Sequence, residues 1–395
     1  MTKSHDIAQK EENANYDTHH ITTKRRMENR KIRVAITHGD TNGIGYELIF
    51  KTFAEPDMLE ICTPVVYGSP KIAAYHRKAI DTQASFSIIN KAEDAQDGRV
   101  NMLACFDDEI KVDMGTPTKE SGQAALTALD KAMTDFRSQL YDVLVACPVC
   151  AANMTSNNFR YRGLKEYTET SVGDGAKAVM MMINETLRIA LVTNGLPLKD
   201  VAEKITPENI TDKIKATDRA MKRDFRLSNP RIAVLALNPD ANGEEETKVI
   251  APAIQACADA GINAYGPYPA ETFFGESQYE AFDCVLALYD DQAKIPFTTL
   301  MQNDGIYYVA NMPIVCTAPA LSPCFERAGK GTSDESALRH AIYTAIDIAR
   351  NRTFYDEPMA NPLPKLFYEK RDESEKVRFA IPKKREQPKN MRQEE

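Results

Sequence analysis

The sequence predicts an α/β fold with a largely parallel sheet, and two observations carry that expectation. Short, continuous apolar runs recur along the chain, and helical patterns separate them. At 395 residues, with 43% hydrophobic and 27% charged side chains, the chain has enough apolar material for a sizeable core and roughly two to three domains.

Strands are expected at Arg33 to Thr37, Pro64 to Tyr67, Phe86 to Ile89, Val143 to Ala146, Arg188 to Thr193, Arg231 to Leu237 and Cys284 to Tyr289. Each is short and apolar throughout, as strands buried on both faces of a helix-covered sheet are. Between them Leu126, Leu129, Met133, Phe136 and Leu140 recur at helical spacing and form one apolar stripe. Ile210, Ile214, Met221 and Phe225 mark a second helix, entered through Pro207. Further helices are expected at Pro70 to Lys78 and at Asp334 to Arg350. In such folds ligands bind at the carboxyl ends of strands, so chemistry is sought in the loops there.

The ends of the chain read differently. Residues 1–30 are charged and amide-rich, which suggests a polar arm. Arg371 to Glu395 carries 14 charged residues in 25, of mixed sign, so disorder without a binding target is expected. No internal repeat is visible.

A net charge of −8 argues against nucleic acid as the main partner, since phosphate binding wants clustered Lys and Arg. The longest apolar runs, Ala178 to Ile183 among them, fall far below the roughly 18 residues of a bilayer span. The N-terminus, Met1 to Asp6, is polar and has no signal-peptide core. Eight Cys in a long chain without such a signal are expected as reduced thiols, so the expected location is the cytoplasm.

Six His are present, and His5, His19 and His20 lie in the polar arm. His38, His76 and His340 remain, and their positions give no reason to expect a three-His metal site.

Four motifs could carry chemistry. His38 to Gly45 is a glycine turn that follows the first strand and opens a helix; plain turn geometry is the common use of such glycines, and free N–H groups holding an anion is the alternative. Cys147 and Cys150 form a C-x-x-C at a strand end, where a helix start could acidify one thiol of a redox pair. Buried apolar cysteines are the commoner case. Asn238-Pro239-Asp240 and Tyr289-Asp290-Asp291-Gln292 place carboxylates at two further strand ends. Asp240 and Asp290 could share a Mg or Mn ion, or could simply be solvated or helix-capping.

Taken together, these segments resemble the 4-hydroxythreonine-4-phosphate dehydrogenase (PdxA) family. The resemblance rests on Ile36 to Asp40 with Gly43 to Gly45, Leu196 to Asp200, Leu237 to Pro239, Gly266 to Thr272, Ala287 to Gln292 and Ala328 to Gly331. It implies a two-domain isocitrate/isopropylmalate-dehydrogenase-like subunit with a central cleft, here residues 31–146 plus 306–352 and residues 147–305, flanked by the 1–30 arm and a 353–395 tail. It implies a homodimer whose clefts are completed by the partner chain. It further implies a small phosphorylated substrate, NAD and a divalent metal for the oxidation and decarboxylation of 4-phosphohydroxy-L-threonine in pyridoxal phosphate synthesis.

The resemblance also shows where this chain departs from its family. The three His that hold the family metal correspond to Gly195, Asp240 and Asp290. A Gly-His-Thr-Glu segment becomes Gly163-Leu164-Lys165-Glu166. The family's Lys, Asn and Arg in the following loops correspond to Thr298, Tyr307 and Cys316, and another Lys to Ala151. The Asp-His-Gly-Thr stretch at the nucleotide end reads Ala320-Leu321-Ser322-Pro323. A thiol cannot replace a bidentate guanidinium.

The leading expectation is therefore a family member whose dehydrogenase centre is dismantled, inactive or repurposed. The alternatives are an active dehydrogenase that holds Mg or Mn on Asp240 and Asp290, with Lys165 or Lys294 supplying the cation, and a non-catalytic interaction subunit.

Overall fold

The computed structural model describes residues 30–106, 110–154, 161, 163–301 and 303–360. The expectations for the polar arm, for His5, His19 and His20, and for Arg371 to Glu395 lie outside the described residues. The strands are β1 (Ile32–Thr37), β2 (Cys62–Gly68), β3 (Ser87–Ile89), β4 (Asn101–Ala104), β5 (Val143–Ala146), β6 (Val179–Ile183), β7 (Arg188–Leu191), β8 (Ile232–Leu235), β9 (Ala264–Tyr268), β10 (Cys284–Ala287), β11 (Ile306–Ala310) and β12 (Val315–Pro319).

The helices are α1 (Gly45–Thr52), α2 (Asp57–Ile61), α3 (Pro70–Ala79), α4 (Lys119–Arg137), α5 (Ala151–Met154), α6 (Leu164–Val172), α7 (Pro207–Asp224), α8 (Ala251–Asp259), α9 (Ala270–Gly275), α10 (Asp290–Leu300) and α11 (Ser336–Ala360). Their starts are chemically marked. Ser69, Thr118 and Thr206 cap α3, α4 and α7 through side-chain oxygens that accept the Ile72, Ser121 and Asn209 N–H groups at 3.2, 3.1 and 3.2 Å.

All twelve strands form one sheet in the order β3-β4-β2-β1-β5-β12-β11-β6-β7-β10-β8-β9. The sheet is parallel from β3 to β12 and again from β7 to β9. Between these blocks β11 runs antiparallel to both β12 and β6, and β6 runs antiparallel to β7. The parallel expectation holds for the two flanks, and the centre differs. Neighbours β6 and β7 are joined by a hairpin, which only antiparallel strands allow.

Side-chain alternation divides the core into layers. Val34, Ile36, Val143 and Val145 face a layer completed by Ile210, Ile214 and Met221 of α7 and Leu338, Ile342 and Ile346 of α11. Ala35, Val65 and Leu144 face Leu126, Leu129 and Met133 of α4. On that second side, Ile189, Leu235 and Val285 pack with Phe273 of α9 and Phe297 of α10. The two apolar stripes expected from sequence thus cover opposite faces of the sheet.

Helix α11 runs ten residues past the expected end at Arg350, so residues 353–360 are helical rather than tail. A buried polar knot lies where it extends. Arg352 Nε donates to Asp224 Oδ1 at 2.7 Å and its Nη2 donates to the Tyr308 hydroxyl at 2.8 Å, which in turn donates to Asp224 Oδ2 at 2.6 Å. α11, α7 and β11 are thereby joined.

Candidate functional site

Strands β7, β10 and β8 are parallel neighbours, so their carboxyl ends lie side by side. The loops that follow them carry Thr193 to Gly195, Tyr289 to Gln292 and Asn238 to Asp240. Thr193 donates from its hydroxyl to the Leu288 carbonyl at 2.6 Å, which ties the first two loops. Gln292 accepts the Leu288 N–H at 3.0 Å and donates to the Ala236 carbonyl at 2.6 Å, which ties the second to the end of β8. The third is held by Glu246, whose Oε1 accepts the Leu237 and Asn238 N–H groups at 2.8 and 2.7 Å. Those hydrogen bonds hold the Glu246 carboxyl below the usual carboxylate range, although burial acts first in the opposite sense.

Asp290 stands at the middle of this arrangement, in the first turn of α10. Its Oδ2 accepts the Gly195 N–H at 2.6 Å, and its Oδ1 accepts Asn194 Nδ2 at 3.0 Å. Lys294, one turn further along α10, places its Nζ 2.6 Å from the same Oδ1. Gly195 has φ +69°, a left-handed conformation that lets the backbone turn its N–H onto the carboxylate. Asp240 is exposed at the turn after β8.

Tyr307 on β11 is half-buried, and burial raises its hydroxyl above the ordinary phenol value, with Lys294 opposing and Asp290 reinforcing the shift. The structure therefore brings Gly195, Asp290, Lys294 and Tyr307 into one electrostatic neighbourhood. Thr298 is exposed on α10.

The remaining sequence-predicted positions lie elsewhere. Cys316 is fully buried in β12, its Sγ 4.0 Å from the Thr168 hydroxyl of α6, and burial pushes its thiol up to about 12. Leu164 and Lys165 open α6, where Lys165 sits 3.5 Å from Glu169 in a weak ion pair. Nearby is a residue that sequence reasoning missed. Lys213 is buried on α7 and donates to the Ala178 carbonyl at 2.7 Å. Burial and the neighbouring Lys165 lower its ammonium to about 8, with Glu169 opposing. The available signal was a Lys beside Ile214 on the helix's apolar stripe.

The glycine turn serves geometry. The N–H groups of Asp40, Gly43 and Ile44 donate to the carbonyls of Pro148, Asp40 and Pro323 at 2.9, 3.0 and 3.1 Å, and Asn42 N–H to Asp40 Oδ1 at 3.0 Å. The alternative of an anion held on free N–H groups of these residues is corrected accordingly. A Cβ on Gly45 would collide with the His38 carbonyl, so close approach explains that glycine.

His38 and His76 both pack on the ring of Tyr46, each with centroids 5.1 Å away. His38 Nδ1 bonds the Tyr67 carbonyl at 3.0 Å and His76 Nε2 the Thr41 carbonyl at 2.8 Å. Burial lowers both imidazoles to about 4. His340 stands apart on α11, with its Nδ1 3.3 Å from the Asp304 carbonyl.

Both Cys147 and Cys150 are free thiols. Cys147 is buried, as in the commoner apolar reading of such cysteines, and burial pushes its thiol well above the usual range, opposite to the acidification that a redox pair would need. The following helix α5 spans only Ala151–Met154, too short to supply much dipole.

The cofactors implied by the resemblance can be tested against these residues. A divalent metal does not fit. Both oxygens of Asp290 are occupied by the chain's own donors, one being an ammonium, and position 195 has no side chain. Among the described residues no group of three or more His, Cys, Asp or Glu is arranged to hold a metal ion. A nicotinamide dinucleotide fits no better at Ala320 to Pro323. That loop offers small or apolar side chains, the Ser322 hydroxyl lies 3.4 Å from Cys324 Sγ, and the Pro323 carbonyl is taken by Ile44.

A family model described as pyridoxal phosphate biosynthetic protein PdxA matches residues 60–345. Among curated proteins, a 4-hydroxythreonine-4-phosphate dehydrogenase of Bacteroides thetaiotaomicron is 46% identical over 358 residues, covering 89% of this chain and 98% of that one. The protein of the same description from Geobacter metallireducens is 32% identical over 335 residues, covering 82% and 97%. A crystal structure of 4-hydroxythreonine-4-phosphate dehydrogenase from Klebsiella pneumoniae matches with TM-score 0.69 and 25% identity, covering 81% of this chain and 98% of that one.

Proposed function

This chain belongs to the PdxA family, and on that premise we propose that it is a repurposed member in which the metal-assisted dehydrogenase chemistry has been lost. The observation that carries the reading is the state of Asp290. At the position of a family metal ligand stands a carboxylate already satisfied by Lys294, Asn194 and Gly195.

A bound divalent ion supplies Lewis-acid polarisation of a hydroxyl or ketone oxygen, worth several kcal/mol of transition-state stabilisation. Positioning of an anionic substrate by Arg and Lys can contribute roughly 7–11 kcal/mol more. Neither contribution has residues to deliver it. Cys316 is sealed in the core beneath α6, and Thr298 carries no charge. The residues that do face the site, Lys294, Tyr307 and Asn194, offer hydrogen-bond donors suited to holding a small polar metabolite.

The rest of the reading follows family precedent. We divide the chain into residues 31–146 plus 306–352 and residues 147–305, with the cleft between them. We assign the protein to the cytoplasm as a homodimer; among the described residues no helix is long and apolar enough to cross a membrane.

The test is an assay of purified protein with 4-phosphohydroxy-L-threonine, NAD and Mg, Mn or Zn, beside a metal-binding relative. The reading expects no NADH above background. Turnover at the relative's rate overturns it.

A further inference from the structure

We propose that the Lys294 ammonium is a resident cation standing in for the divalent metal at the ends of β7 and β10, so that Asp290 is closed to metal ions. The inference rests on the reading above that metal-assisted oxidation is lost, and it adds the residue that replaced the ion.

The pair is built into one helix. Asp290 lies in the first turn of α10, where a carboxylate complements the helix dipole, and Lys294 follows at i+4, the favourable order for an acid–base pair. The contact is short, 2.6 Å; Asp290 is 18% exposed while Lys294 is 45% exposed, so the ammonium covers the carboxylate from the solvent side. A metal approaching Asp290 would have to displace an ammonium from Oδ1 and a backbone N–H from Oδ2.

The loop after β7 is shaped for that second contact. Gly195 at φ +69° directs its N–H onto Asp290, a left-handed conformation that glycine adopts without steric cost. The loop thus donates a proton where a metal site would donate a lone pair. Asp240, exposed after β8, could add only a single carboxylate, short of the six to eight oxygens Ca prefers or the octahedron Mg demands. Once Lys294 is removed, however, Asp290 Oδ1 loses the positive charge that occupies it. Lys294 is therefore the residue whose loss should admit a metal.

The experiment is Mn titration of the full-length protein by calorimetry, with bound metal counted by mass spectrometry. Wild type, Lys294→Met, Lys294→Arg, Asp290→Asn and the double variant Lys294→Met/Asp290→Asn are compared. Expected are no saturable Mn uptake by wild type or Lys294→Arg, at least tenfold tighter uptake by Lys294→Met, and its loss in the double variant. Saturable uptake by wild type that Asp290→Asn abolishes overturns the proposal, as does a folded Lys294→Met that gains nothing. Should Lys294→Met fail to fold, Mn-soaked wild-type crystals decide: an anomalous peak at Asp290 overturns the proposal, and a Lys294–Asp290 contact without one supports it. Chelator-insensitive dehydrogenase turnover would defeat the functional reading while leaving this inference standing, so the two failures are distinguishable.

Discussion

The Gly195 N–H donates to Asp290 Oδ2 at 2.6 Å, joining the loops that follow β7 and β10. The contact depends on a left-handed backbone at Gly195. Gly195→Ala should destabilise the protein by about 1 kcal/mol, because a Cβ resists positive φ. Urea unfolding followed by circular dichroism checks this, since the chain has no Trp to report by fluorescence. An unchanged midpoint would mean that the loop is not held in this conformation.

His38 and His76 should make the protein acid-sensitive in a defined window. Their folded values, about 4, lie below the ordinary 6.5 because burial penalises the imidazolium; the Glu47 carboxylate beside His76 only partly offsets this. The unfolded chain therefore binds more protons than the native one between these values. Stability is fully present above about 6.5 and falls as pH drops toward 4, by about 1.4 kcal/mol per pH unit for each histidine. Unfolding midpoints measured across this range should decline, and His76→Gln should make the decline shallower.

The knot of Arg352, Asp224 and Tyr308 should be sensitive to one-sided removal. Arg352→Met leaves a buried carboxylate without its cation and should cost on the order of 3–5 kcal/mol. Adding Asp224→Asn should recover part of that loss, because a neutral amide is cheaper to bury than a lone charge. Chemical denaturation of both variants provides the readout, and equal stability of the two would contradict the assignment.

Cys147 should be inert and Cys150 more readily modified. Burial keeps the Cys147 thiol protonated near neutral pH, and the thiolate is the reactive form. Peptide mapping after brief iodoacetamide treatment of native protein should find Cys150 labelled ahead of Cys147. The reverse order would restore Cys147 as a redox candidate.

Much of this architecture was legible in the sequence, because apolar runs such as Val143 to Ala146 become buried strands wherever helices cover both faces. β6 was less legible. Val-Met-Met-Met-Ile carries little β-branching, so its apolar run suits a helix as well as a strand. β11 and β12, a consecutive antiparallel pair, were missed although Ile306 to Ala310 and Val315 to Pro319 are apolar for most of their length.

The same distinction governs the site. The four-residue spacing of Asp290 and Lys294 is readable as a helical acid–base pair, but the Gly195 contact comes from a loop 95 residues away. His38 and His76 meet only because both rings pack against Tyr46, an adjacency that no local pattern encodes. The C-x-x-C motif alone left a redox pair open beside the commoner buried reading, and only the burial of Cys147, which raises its thiol, separates the two.

The most direct test of lost dehydrogenase chemistry is single-turnover spectroscopy at high enzyme concentration, with equimolar 4-phosphohydroxy-L-threonine and saturating NAD and Mn. The absorbance of reduced nicotinamide should stay at baseline even when enzyme and substrate are equimolar. A burst approaching one NADH per active site would contradict the account.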